Sequence, residues 1–140
     1  MTSQLTENKT ISIRFSEVDS LQIVWHGNYV KYFEDGREAF GNRYDLNYLD
    51  VYKYGFVTPI VNINIDFKRP LKYGEKAIVQ TTYVDSPAAK LIFDYKIFSD
   101  SDNTLLATGQ TTQVFLDSKG DLCLTIPDFF VNWKRNWKIL

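Results

Sequence analysis

A chain of 140 residues has room for one ordinary domain with a buried core and too little for two. Its 16 Lys and Arg against 17 Asp and Glu leave a formal net charge of -1, so no overall field draws it to nucleic acid or to a membrane surface. One histidine and one cysteine exclude an internal disulfide and the usual His/Cys zinc sites; with no G-x-G-x-x-G, no lysine after the P-loop-like Gly36 and Gly41, and no G-x-S-x-G, dinucleotide redox chemistry, nucleotide hydrolysis and α/β-type serine hydrolysis all become poor readings.

The opening stretch, MTSQLTENKTISIRF, has no apolar run of signal-peptide length, and nothing later approaches the roughly 20 apolar residues of a membrane span. A soluble cytoplasmic protein is expected, and the single Cys123 fits a reducing compartment. Residues 9–15, KTISIRF, alternate with Ile11, Ile13 and Phe15 on one side, which predicts a first strand. From Asn28 the period changes. Tyr29, Tyr32, Phe33, Gly36, Ala39 and Phe40 recur at spacings of three and four, with Lys31, Glu34, Asp35 and Glu38 opposite them, so the spacing predicts a long amphipathic helix capped at or near Asn28. Gly36 sits inside the apolar stripe, where it lowers helix propensity by about 1 kcal/mol and permits another backbone to come close.

DLNYLDVYKYG predicts a further helical turn or two ending at Gly55. Beyond it the period becomes two. VNINIDF, KAIVQTTYVD, KLIFDYKIF and TLLATGQTTQVFLD read as four strands separated by RPLKYGE, SP, SDSDN and DSKGD. Strand, long helix and then four strands in succession, with no strand-helix-strand repeat, imply an α+β fold: an antiparallel sheet with one long helix across it. The aromatic and basic end, FFVNWKRNWKIL, gathers too few cations for a nucleic-acid or membrane surface and reads as a cover for a sheet or subunit edge.

In this order the residues resemble the hotdog-fold acyl-CoA thioesterases of the 4-hydroxybenzoyl-CoA thioesterase type. The resemblance rests on Asp19, His26, Asn28, Tyr29, Glu34 and Arg37 in VDSLQIVWHGNYVKYFEDGREAF, and extends through DFKRPLKYGEKAIVQTTYV, ATGQTTQVFLD and IPDFF. It implies a helix wrapped by a curved sheet of about five strands, a single domain over residues 1–140, and pairing of chains into homodimers or homotetramers with a site at each subunit boundary. It also implies an acyl-CoA or acyl carrier protein substrate, no cofactor beyond the coenzyme A of that substrate, and a catalytic aspartate at Asp19. Two positions depart from the family pattern. Phe15 stands where many relatives have tyrosine, and Ser20, Leu21, Gln22 and Ile23 stand where many have a glycine-containing loop, which reshapes the acyl pocket.

The residue types suit thioester hydrolysis. Sulfur gives a thioester carbonyl little resonance, and the coenzyme A thiolate leaves without obligatory protonation, so the protein must supply an activated oxygen and hold an oxyanion. Amides of Gly27, Asn28 and Tyr29 at a helix start can polarise the carbonyl, each such donor typically being worth about 3 kcal/mol of barrier. Asp19 is placed to deprotonate water or to attack and form an anhydride, and His26 to orient water or bond the carboxylate or carbonyl. Gln22 and Glu34 are candidates for the acyl pocket, and Lys68, Arg69 and Lys72 for the phosphates of the coenzyme. Ordinary structural roles compete with each assignment: an Asp that shapes a turn, a satisfied lone His, a solvated Glu34–Arg37 pair, solubilising cations, and a Cys123 that packs as a small apolar side chain. Binding of acyl groups without hydrolysis, or hydration of an enoyl thioester, are the competing functions.

Overall fold

The computed structural model describes residues 4–139. Five strands, β1 (Thr6–Ser12), β2 (Ile60–Phe67), β3 (Lys76–Val84), β4 (Lys90–Ser99) and β5 (Leu105–Val114), form one sheet in the order β1-β3-β4-β5-β2. Every neighbouring pair is antiparallel. Helix α1 (Asn28–Tyr44) lies over β1, β3 and β4, while the short α2 (Tyr48–Lys53) and α3 (Asp128–Asn136) close one end. The long helix across an antiparallel sheet is the α+β arrangement expected from the element order.

Alternation explains the packing of the central strands. β3 buries Ala77, Val79, Thr81 and Tyr83, and β4 buries Leu91, Phe93, Tyr95 and Ile97, all toward the helix. Phe33 and Phe40 of α1 are fully buried against this face, and the Phe33 ring stacks on Tyr95 with centroids 4.2 Å apart. At Gly36 the helix comes close against the sheet: a Cβ there would run into Thr81 Oγ1 and lie 2.8 Å from Val79 Cγ1. Gly109 of β5 does the same for Phe33, whose ring carbons would stand 2.5 Å from an added Cβ.

One expected boundary needs correction, and two further elements take forms that the sequence left open. The first strand spans Thr6–Ser12, not residues 9–15, because the chain turns at Arg14 into a short 3-10 helix at Phe15–Glu17. Phe15 therefore leaves the face that holds Ile11 and Ile13 and is 74% exposed. The apolar side of β2, with Val61, Ile63, Ile65 and Phe67, is mostly exposed, since β2 is an edge strand paired only to β5 and lies beyond α1. The C-terminal stretch, expected to cover a sheet or subunit edge, is a helix packed against the ends of α1 and β3. Phe130 and Trp133 on α3 are buried, and the Trp133 indole donates to the Tyr44 carbonyl at 2.6 Å. Lys134 on the same helix is 1% exposed and bonds Asp85 and the Ser86 carbonyl, each at 2.8 Å, which latches α3 to the end of β3.

Candidate active site

The connection between β1 and α1 is built from backbone. The Asp19 amide donates to the Ile23 carbonyl and the Gln22 amide to the Asp19 carbonyl, each at 2.9 Å, while Val18 and Val24 bridge the base of the loop. Closing so tight a turn puts Gln22 in the left-handed region at φ 65°, a conformation for which glycine is better suited. The Val24 amide donates to the Leu71 carbonyl at 2.8 Å, tying the loop to the segment before β3. Asp19 Oδ1 accepts the Leu21 amide at 2.8 Å, so the carboxylate does shape a turn; Oδ2 has no protein donor among the described residues.

Glu17, which the sequence reading passed over, clips this loop to the helix. Its carbonyl accepts the Trp25 amide at 2.9 Å and the Asn28 side-chain amide at 2.8 Å. Its buried carboxylate accepts the Arg14 amide at 2.7 Å and meets the Lys31 ammonium at 3.1 Å. Burial by itself raises the Glu17 titration, but the Arg14 amide and the Lys31 ammonium outweigh it and hold the carboxyl below its ordinary value of 4.5. A group depressed in this way stabilises the fold above its unfolded titration range, and that contribution disappears as pH falls through the folded value. Melting temperature should thus decline as pH is lowered below about 4.5, and Glu17→Gln should flatten that part of a thermal denaturation series in pH.

At the helix start Gly27, not Asn28, is the capping residue, because Asn28 turns its side chain back to Glu17. The donors expected from the first turn differ accordingly. The Asn28 and Tyr29 amides are spent on the Trp25 and His26 carbonyls, at 3.0 and 3.2 Å, whereas the amides of His26 and Gly27 have no partner among the described residues. The Trp25 indole covers Gly27 so closely that an added Cβ would collide with the ring, and it lies 5.1 Å from the His26 ring.

Asp19, His26, Tyr29, Lys68 and Arg69 line one cavity of about 350 Å³ together with Phe67 and other apolar groups. Thus the carboxylate, the histidine, the helix start and two of the three proposed cations meet within a single chain. Tyr29 is 2% exposed, and burial raises its phenol, keeping it neutral. On the other side of the same loop, Asp19, Gln22 and Lys72 border a second cavity of about 680 Å³ with Phe15, Leu21 and Tyr73. Glu34 joins neither. It is exposed six residues into α1 and shares a different cavity with Arg37, which donates to the Tyr95 hydroxyl at 3.1 Å and makes no ion pair with Glu34. Cys123 is partly buried, and burial pushes its thiol up, away from thiolate reactivity. Among the described residues no cluster of His, Cys, Asp and Glu has the makings of a metal site, and no helix is long and apolar enough to cross a membrane. Trp25, Val24 and Phe67 were not singled out from sequence; Trp25, beside the lone histidine, was the readable signal.

Comparison with known proteins gives this geometry a family. YneP of Bacillus subtilis, named provisionally as an acyl-CoA thioesterase, is 32% identical over 89% of this chain and 90% of its own length. The acyl-acyl carrier protein thioesterase ATL3 of Arabidopsis thaliana is 27% identical over 78% of this chain, which spans 57% of that protein. The DHNA-CoA thioesterase of Staphylococcus aureus superposes with a TM-score of 0.85 at 24% identity, over 96% of this chain and 89% of that one, which establishes the shared hotdog fold. The family model described as the thioesterase-like superfamily matches residues 13–134, from the end of β1 into α3, and the chain belongs to that superfamily.

Proposed function

We propose that the protein is an acyl-CoA thioesterase, hydrolysing an acyl-CoA to the free acid and coenzyme A. The observation that carries this reading is the cavity lined together by Asp19, His26 and Tyr29 of the first turn of α1, on a chain of the thioesterase-like superfamily. The thioester carbonyl oxygen sits against the free Gly27 amide, where the unpaired N–H and the helix dipole stabilise the developing charge. Asp19 either deprotonates water for attack on the carbonyl carbon or attacks it directly; His26 orients the water. Lys68 and Arg69 at the mouth meet the coenzyme phosphates. The thiolate leaves as a stable anion, so neither metal nor redox cofactor is needed. Thiol release from a panel of aliphatic and aromatic acyl-CoAs tests the activity. No turnover with any of them, under conditions where the protein is folded, would remove it.

Acyl carrier protein thioesters are a second substrate class, favoured by the similarity to ATL3. Assays with matched acyl-CoA and acyl carrier protein thioesters separate the two carriers.

The working unit is a homodimer, with a homotetramer as the further step. Its support is β2: an edge strand whose outer hydrogen-bonding side has no partner among the described residues, with Val61 and Phe67 58% and 53% exposed. An exposed apolar edge of this kind pairs with another edge unless charge or proline blocks it. Replacing Val61 and Ile63 together with lysine should shift the protein to monomer in light scattering, with melting largely retained at high concentration. An unchanged oligomer would place the interface elsewhere.

A further inference from the structure

Glu17, Val18 and Asp19 run antiparallel to Ile23, Val24 and Trp25. The Asp19 amide donates to the Ile23 carbonyl and the Trp25 amide to the Glu17 carbonyl, each at 2.9 Å, with Val18 and Val24 bridged between them. This main-chain frame fixes the turn at Asp19 as far as Trp25. It does not by itself aim α1, which begins three residues later at Asn28.

Beyond the turn in which the Asn28 amide donates to the Trp25 carbonyl, two side chains of α1 reach the frame, and both reach Glu17. The Lys31 ammonium meets the Glu17 carboxylate at 3.1 Å, but its side chain is long and half-exposed, and such pairs hold position weakly. The Asn28 side chain is short, and it lies 2.8 Å from the Glu17 carbonyl. A carbonyl only accepts, so the amide nitrogen must face it, and the oxygen has lone pairs enough for Asn28 and the Trp25 amide together.

One oxygen therefore holds residues 25 and 28 at once. Between those two points lie only His26 and Gly27, whose amides have no partner among the described residues. A two-residue span with both ends fastened to one atom has little freedom left. The directions of its two N–H groups thus depend on the side chain at position 28, and His26 lines the same cavity as Asp19.

The structure assigns Asn28 the part of a positioning residue: its side-chain amide, bonded to the Glu17 carbonyl, sets the spacing between the Asp19 carboxylate and the open amides of His26 and Gly27. The role rests on the thioesterase reading, in which an open amide receives the carbonyl oxygen while Asp19 serves the attack. Asn28 acts through the two residues before it and not on the substrate. Displacing such donors by about 1 Å can cost on the order of 100-fold in rate, so the loss belongs in kcat.

The test is Asn28→Leu in the full-length protein. Leucine is neutral, close in size and a better helix former, and the Glu17 carbonyl keeps the Trp25 amide, so the melting temperature should stay within about 5 °C. The backbone amide signals of His26 and Gly27 should move in two-dimensional NMR while those from Tyr32 to Tyr44 stay in place. Thiol release from the best acyl-CoA should lose about 10- to 100-fold in kcat with KM within about twofold. Asn28→Asp keeps the outline of the side chain, lacks the donor and carries a charge that suits the first turn of a helix; it should displace the same two amides, and it keeps the test open if the leucine variant fails to fold. Unmoved His26 and Gly27 signals in a folded variant, displaced signals with unchanged kcat, or a rise in KM at unchanged kcat overturns the proposal. If the wild-type protein hydrolyses no acyl-CoA, the thioesterase reading falls, and the amide signals alone decide whether Asn28 sets the loop.

Discussion

Asparagine in place of Asp19 lowers kcat for thiol release by about 10²- to 10⁴-fold, the usual contribution of a positioned base, and leaves the melting temperature within about 3 °C. The substitution is close to isosteric, and an asparagine oxygen still accepts the Leu21 amide that Asp19 Oδ1 now accepts at 2.8 Å. The loop keeps its shape while the negative charge is lost. Full activity in this variant would remove Asp19 from the chemistry. A single turnover in heavy-oxygen water, followed by mass spectrometry of the peptide containing Asp19, tests the anhydride route: label in the aspartate marks an anhydride opened at the Asp19 carbonyl, and where the label goes only to the released acid, trapping with hydroxylamine separates an anhydride opened at the acyl carbonyl from general-base attack.

Truncation of Phe33 to alanine is expected to cost about 3–5 kcal/mol in denaturant-induced unfolding, the range for a fully enclosed phenylalanine. Phe33 is 0% exposed, lies face to face with Tyr95, and fills the space left by the missing side chain of Gly109. The same contact predicts a coupling. Gly109→Ala should cost about 1–3 kcal/mol by overpacking in the native background and less beside Phe33→Leu, with the part due to the Asn64 carbonyl, 2.7 Å from an added Cβ, remaining. Additive effects of the two substitutions would mean that ring and glycine do not share the space.

The parts of the fold that bury a regular pattern were legible in the sequence. The three-and-four spacing from Tyr29 to Phe40 marked α1, and period-two alternation marked β3 and β4, because those elements each turn one face to the core. Where a tertiary partner decides, the pattern misled. β2 alternates as cleanly as its neighbours yet is an edge strand with little covering it, and Phe15 continues the alternation of β1 only until Arg14 bends the chain. Asp19, His26 and the start of α1 were readable as a motif. The split of the amides was not, since it depends on Asn28 turning back to a carbonyl eleven residues earlier. Glu17 carried no signal in the sequence, because only the folded chain brings the Arg14 amide, Lys31 and the helix start around it.

The turn that presents Asp19 is closed by main-chain bonds from the Asp19 and Gln22 amides and by the Val18–Val24 bridge, with the strain collected at Gln22. Geometry held this way asks little of the side chains at positions 20 and 21, while position 22 favours a residue that accepts a positive φ. Exchange of the side chains at the loop tip therefore reshapes the walls of the cavity beside Asp19 while the main-chain frame that presents Asp19 stays in place.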